Sequence, residues 1–242
     1  METRLTRTGQ RLTGLAMMVA VSAVIGTIVV AAARPHTQPT PPPAPAAAAP
    51  VEAPLPAKYV VLTFDDGPDP AYTPKVLEIL AKYEAKATFF EVGKNVAKHP
   101  ELTKAIHAAG HSVQNHTWVH ADLRHQTAAG FRKQVGDTDA AIRSAAGITP
   151  SCLRPPYGGV SATVRQRAKA LDKELVLWTI DSRDWSKPGV PVIEKRVLGS
   201  VKNGSVILMH DGGGNRSQTL AALPSILEKL KAQGFGFRTL SC

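Results

Sequence analysis

The sequence predicts an α/β fold built from parallel βα units with about seven strands. Three observations carry this. First, short apolar runs rich in β-branched and aromatic residues recur at YVVLTF (59–64), ATFFEVG (87–93), HSVQNH (111–116), CLRPPY (152–157), ELVLWTID (174–181), GSVILMH (204–210) and FGFRTL (235–240). Second, segments of helical period lie between most of them. Third, the residues able to do chemistry fall at the ends of these runs: Asp65 and Asp66, His116, Arg154, Asp181 and His210. Strands alternating with helices make parallel sheets, and in parallel βα architectures the C-terminal strand ends form one rim where ligands bind. Seven strands are too many for a small open sheet and one short of an eight-fold barrel.

The elements follow in order. YVVLTF breaks at Asp65-Asp66-Gly67-Pro68, ordinary turn chemistry except for the doubled acid. TPKVLEILAKYEA places Val76, Leu77, Ile79 and Leu80 on one apolar stripe, and ELTKAIHAAG stops at Gly110, a natural helix end. Residues 128–146 and 161–171 are rich in Ala and charge, and LPSILEKLKAQG closes on Gly234.

Ahead of this domain the composition changes twice. METRLTRTGQRLTG carries Arg4, Arg7 and Arg11 against Glu2, and Leu15 to Ala33 then has no charge over 19 residues. Residues 1–34 therefore read as an export signal or an uncleaved membrane anchor, with Ala31-Ala32-Ala33 fitting a cleavage site. Residues 35–57 hold nine of the 19 prolines and read as an extended linker. What is left, 58–242, suits one domain. Four of the 29 Lys and Arg and two of the 19 acids precede it, which leaves 25 against 17 and a net charge of +8. Such a domain is drawn to anionic surfaces such as wall polymers, or is simply soluble. No basic stripe with interleaved aromatics points to nucleic acid. Cys152 and Cys242 are the two cysteines; they form a disulfide in an oxidising compartment or stay as buried thiols.

The segment NHTWVH sets His116 and His120 four apart, a spacing that puts both imidazoles on one face of a helical turn and suits a divalent metal. A carboxylate from another strand end completes a two-His, one-carboxylate site with open positions for water and substrate. The doubled acid then has a reason. One aspartate binds the metal, and the other stays ionised beside it as a base, its charge favoured by the cation.

TFDDGP (63–68), HTWVH (116–120), RPPYG (154–158), DSRDW (181–185) and ILMHD (207–211), in this order, resemble the five motifs of the NodB-homology polysaccharide deacetylases, carbohydrate esterase family 4. The resemblance spans essentially all of 58–242. It implies a distorted (β/α) barrel and removal of acetyl groups from N-acetylglucosamine polymers or acetylated xylan. The implied cofactor is a divalent metal, usually zinc, with Co2+ or Ni2+ as other options. By position, Asp65 matches the general base and Asp66, His116 and His120 the metal ligands. His210 matches the general acid, and Arg154 the arginine that holds the base. The Tyr157 N–H matches the oxyanion donor, and Trp185 and Leu208 line the sugar groove. Asp184 is taken as the partner of His210, with Asp181 as the alternative. Ala121 follows His120 where many relatives have proline, which predicts only a local change in loop stiffness. The run Gly212-Gly213-Gly214 reads as a rim loop or a plain connector. His36, His99, His107, His111 and His125 fit no motif.

Amide hydrolysis needs a polarised carbonyl, an activated water and a proton for a poor leaving group, and metal, Asp65 and His210 supply one each. The resulting expectation is an exported, monomeric, metal-dependent polysaccharide N-deacetylase acting on peptidoglycan. Chitin oligomers and acetyl xylan are the other substrates, and the membrane is a partner if the N-terminus is uncleaved. A silent carbohydrate-binding module on the same fold is the rival of another class. A metal phosphoesterase is a further one, though it usually needs more ligands than the three seen here.

Overall fold

The computed structural model describes residues 58–242; residues 1–34, read as an export signal or membrane anchor, and 35–57, read as a linker, lie outside the described residues. Eight strands form one sheet: β1 (Tyr59–Asp65), β2 (Ala87–Glu91), β3 (Ser112–Asn115), β4 (Cys152–Leu153), β5 (Glu174–Leu175), β6 (Ile180–Asp181), β7 (Ser205–His210) and β8 (Gly236–Phe237). The order is β5-β4-β3-β2-β1-β7-β6, with β8 beside the start of β1, and every pairing is parallel.

The connection between the two edges makes this sheet a distorted barrel. A flat seven-strand path would set β5 and β6 roughly 29 Å apart at normal strand spacing. Only Val176 to Thr179 join them, and five residue steps reach at most about 18 Å. The sheet must therefore curl until its edges approach. The Val176 N–H still donates to Leu153 O (3.0 Å) and the Thr179 N–H to Val206 O (2.9 Å), so each edge ladder runs one residue further and the seam narrows to Leu177 and Trp178. ELVLWTID, one strand in the sequence reading, is thus two strands on opposite edges.

Seven helices cover the sheet: α1 (Thr73–Lys82), α2 (Gly93–Lys98), α3 (Pro100–Ala108), α4 (Ala128–Ala146), α5 (Ala162–Lys169), α6 (Val190–Leu198) and α7 (Ser217–Ala232). β1 after Tyr59 and all of β2 are buried, as expected for parallel strands covered on both faces. Phe64 and Phe89 stack at 5.2 Å in the main core, where truncating either to alanine would cost about 3–5 kcal/mol. A second cluster, around Leu123, Phe131 and Leu153, sits under α4 and α5. Local chemistry sets the ends of α4: the Thr127 hydroxyl caps the Gly130 N–H (3.0 Å), and Gly147 takes a left-handed φ of 73°. α2 and α6 were not foreseen. Six residues are too few to show a helical period. α6 buries only Ile193 and Val197, immediately after a Pro-Gly turn.

Cys152 and Cys242 are joined by a disulfide, with Cα atoms 5.6 Å apart. The tail it anchors passes across the strand starts, where the Arg238 N–H donates to Val60 O (3.0 Å) and the Leu240 N–H to Thr88 Oγ1 (2.9 Å). Among the described residues no helix is long and apolar enough to cross a membrane.

Candidate active site

Because all strands are parallel, their C-terminal ends meet at one rim. Asp65 ends β1, His210 ends β7, and the two are register partners on neighbouring strands. His116 follows β3 and Arg154 follows β4. Asp65, His116 and His210 border a cleft of about 690 Å³, whose walls also include Tyr157, Trp185 and Leu208, while Arg154 lies buried behind Asp65.

Asp66, His116 and His120 converge. Asp66 Oδ1 lies 3.5 Å from His116 Nε2 and 3.3 Å from His120 Nε2, and the three potential ligand atoms fall within 4.8 Å of one another. The donor set fits a divalent cation on two independent grounds. Asp66 Oδ1 is buried with no hydrogen-bond partner, a costly arrangement unless a cation meets it. His116 Nδ1 sits 2.8 Å from Arg154 O, and a carbonyl can only accept, so Nδ1 carries the proton and Nε2 offers its lone pair. Burial pushes the His116 pKa down to about 3, against the pull of Asp66, and keeps that ring neutral.

The segment carrying the two histidines is not a helical turn. Thr117 and His120 have φ of 67° and 56°, and the loop instead serves its neighbours. Thr117 O and Trp118 O accept the N–H groups of Gly93 and Lys94 at the start of α2 (both 2.9 Å). Gln134 Oε1 takes the Trp118 and Val119 N–H groups (3.0 and 3.1 Å). These bonds replace the helical ladder and still bring the imidazoles to 4.9 Å between centroids. The Ala121 N–H, which a proline would lack, donates to Thr117 Oγ1 (3.2 Å) and closes the loop.

Arg154 is fully buried and reaches across to β1. It donates to Asp65 Oδ1 and Thr63 Oγ1 (both 2.7 Å) and to the carbonyls of Val176 (3.3 Å) and Leu177 (3.1 Å), and its guanidinium carbon sits over Phe90, 4.0 Å from the ring centre. Burial raises the Asp65 pKa, while Arg154 opposes that rise through charge and hydrogen bond. Arg154 engages Oδ1; Asp65 Oδ2 is 3.7 Å from His116 Nε2, on the metal-site side.

His210 donates from Nδ1 to Asp184 Oδ1 (2.7 Å), and its own N–H and the Thr219 hydroxyl bind Asp184 Oδ2 (2.9 and 2.7 Å). The His210 partner is therefore Asp184. Asp181 accepts the Arg183 N–H (2.8 Å) and stands in the cleft wall. Burial works to lower the His210 pKa, but the hydrogen bond and charge of Asp184, with Asp65 and Asp66 beyond, raise it overall. Burial likewise opposes ionisation of Asp184, and the His210 pair outweighs it and lowers that pKa. Both shifts favour an imidazolium held against a carboxylate, with Nε2 left for a substrate.

Tyr157 adopts a φ of 60° in the turn after β4; the residue is 69 % exposed, and its ring is 4.7 Å from that of His120. Trp185 is 47 % exposed, whereas Leu208 is buried at the cleft floor. Gly212 and Gly213 pack against Asp66 so closely that a Cβ on Gly212 would strike Asp66 O, and one on Gly213 would come within 2.5 Å of Asp66 Oδ2. The glycine run is thus neither a free loop nor a plain connector: it lets the loop after β7 close over Asp66.

Several participants escaped the sequence reading. Trp178 lines the cleft from the β5–β6 seam, as do Lys187 and Arg216 from the loops after β6 and β7. Arg216 Nη2 lies 3.8 Å from Asp66 Oδ2. Beneath the rim, Asp211 accepts the Thr73 hydroxyl (2.5 Å) and its carboxylate fills the space a Gly67 side chain would need. Burial pushes Asp211 up to about 7. Asp211, adjoining His210, had a sequence signal; the others depend on how the loops fold back.

The family model for polysaccharide deacetylase matches residues 52–176. A peptidoglycan-N-acetylglucosamine deacetylase of Bacillus cereus is 41 % identical over 78 % of this chain and 90 % of its own length. A chitooligosaccharide deacetylase of Sinorhizobium fredii is 40 % identical over 76 % and 91 %. A family 4 carbohydrate esterase from Streptomyces lividans, solved with acetate, superposes with a TM-score of 0.72 at 35 % identity, covering 77 % of this chain and 94 % of that one. With its curled parallel sheet and its rim of carboxylates and imidazoles, the chain belongs to the polysaccharide deacetylase family, hydrolases that act on non-peptide carbon–nitrogen bonds.

Proposed function

We propose that the chain is an exported, divalent-metal-dependent N-deacetylase of N-acetylglucosamine-containing glycans, with cell-wall peptidoglycan as its polymer. The observation that carries this is the meeting of Asp66, His116 and His120 with their ligand atoms within 4.8 Å, beside Asp65 and its register partner His210 on the neighbouring strand. The basic and apolar start of the chain and the proline tract behind it support export.

Asp66, His116 and His120 hold the cation, zinc by the chemistry of the set, with Co2+ or Ni2+ able to substitute. When bound, it polarises the acetamide carbonyl and favours the ionised form of Asp65. Asp65 takes the proton of the attacking water through Oδ2, because Arg154 occupies Oδ1. Arg154 is thus a positioning residue. The Tyr157 N–H donates to the developing oxyanion. His210, charged by Asp184, gives its Nε2 proton to the departing amine as acetate leaves. Trp185 and Leu208 bear the sugar.

The test is acetate release from peptidoglycan, chitin oligomers and acetyl xylan, with and without chelator. Release that chelator abolishes and zinc restores is expected from the first. Asp65→Asn should retain metal and lose nearly all turnover, while His116→Ala should lose both. Full activity of His116→Ala without metal would sink the mechanism, and silence on every polymer would favour a binding module. Chitin oligomers are the second reading, because the chitooligosaccharide deacetylase is almost as similar to this chain as the peptidoglycan enzyme.

A further inference from the structure

The cleft contains one cation without an acidic partner. Of the acids in its walls, Asp65 is held by Arg154, Asp66 faces the two histidines and Arg216, and Asp181 accepts the Arg183 N–H. Lys187 is exposed, lines the same cleft, and forms no ion pair among the described residues. Its position is built rather than loose. Asp184–Ser186 form a short 3-10 turn, and the Lys187 N–H closes it on Asp184 O at 2.9 Å. Asp184 is also the anchor of His210, so Lys187 keeps a set relation to the proposed acid.

The turn is flanked by Arg183 and Lys187 at φ of 51° and 53°. Left-handed backbone disfavours side chains other than glycine, asparagine or aspartate, yet both positions carry long cations. Between them Trp185 presents its ring to the cleft, with the Arg183 guanidinium 5.7 Å from it. The turn that carries this aromatic thus also carries two exposed cations, Lys187 in the cleft wall and Arg183 near the Trp185 ring.

Resting on the deacetylase reading above, we propose that Lys187, with Arg183 on the same turn, forms a subsite for a free carboxylate on the sugar next to the acetylated one, so that the enzyme prefers wall glycan whose lactyl carboxylates are not amide-linked to peptide over capped or neutral glycans. Lysine suits this as a flexible point charge, able to follow a substituent on a mobile ether arm. The same field would raise the encounter rate with an acidic polymer, and salt would screen it.

The test uses one tetrasaccharide in two forms: alternate sugars carry an O-linked lactic acid, either free or capped as its neutral amide. Shape is retained and only charge differs. The ratio of kcat/KM for free over capped substrate should be about threefold to fivefold at low salt, the range of an exposed charge pair, and fall towards one at high salt. Lys187→Asn tolerates the left-handed backbone and should bring the ratio to about one; Lys187→Arg should keep it, and Lys187→Glu should invert it. A purely structural role would not move the ratio or its salt dependence. A wild-type ratio of one, or an unchanged ratio in Lys187→Asn, overturns the subsite while acetate release leaves the deacetylase reading standing. No acetate from either form removes that reading and the subsite with it.

Discussion

Replacing Arg154 by methionine should be among the most damaging single changes in the protein, for a reason that lies in charge rather than volume. Methionine retains most of the aliphatic stem, although it gives up the guanidinium over the Phe90 ring. It removes a guanidinium that donates to Asp65, Thr63, Val176 and Leu177 from a fully buried position. Asp65, itself buried, is left with an uncompensated carboxylate. Breaking one side of a buried pair costs about 3–5 kcal/mol, which in a domain of this size lowers the melting temperature by roughly 6–20 °C. Asp65→Asn is damaging in its own right, because it strands the arginine's charge. The double variant, Arg154→Met with Asp65→Asn, holds no charge there, so its loss should fall short of the summed single losses by about 2 kcal/mol. Urea unfolding at neutral pH, with chelator present and the disulfide intact, measures all three against wild type. The single-variant penalty should also shrink in acid, since an orphaned Asp65 escapes it by taking up a proton. Strict additivity, or an Arg154→Met loss below about 1 kcal/mol, would refute the argument.

Other consequences follow from the same geometry. Asp184→Asn removes the group that holds the His210 pKa up, so the basic limb of the kcat/KM profile should move to lower pH, with kcat falling; an unmoved limb would exclude His210 as the acid. Glu91 is buried with Oε1 unpartnered and its pKa pushed by burial from 4.5 to about 8. A folded-state pKa above the unfolded one means stability that is full below pH 4.5 and lost as pH rises through about 8. Glu91→Gln should flatten that decline by about 1.4 kcal/mol for each unit of pKa difference, and denaturation from pH 4 to 9 would read it. Reducing the Cys152–Cys242 bridge, which spans 90 residues, should cost up to roughly 4–5 kcal/mol by chain entropy. The strand order should survive, so a far-ultraviolet spectrum lost on reduction at moderate temperature would contradict that reading.

The site was readable in the sequence because each strand end announces itself chemically. Asp65 and Asp66, His116, Arg154 and His210 each interrupt an apolar run, and parallel topology alone requires such interruptions to share a rim. The motif order that resembles the family added the partners Asp184 and Tyr157. Less was legible where one run serves two purposes. ELVLWTID reads as one strand because both of its halves are apolar, and nothing local signals that its ends belong to opposite sheet edges. The histidine loop misled for a related reason. A spacing of four fits a helix, whereas here side-chain and backbone bonds to Asn115, Gln134 and α2 hold left-handed residues in place.

Sequence by itself thus determined the parallel α/β class and the residues of the rim, and it suggested the proposed division of labour between two adjacent carboxylates. Periodicity, turn chemistry and the charges at strand ends are local properties of a chain. Tertiary structure alone decided the closure of the barrel and the choice of Asp184 over Asp181. It also decided the tautomer of His116, the fit of Gly212 and Gly213 against Asp66, and the exposure of Lys187 beside Trp185. Each depends on which distant segments come within hydrogen-bond or van der Waals reach, and only the folded chain sets those distances.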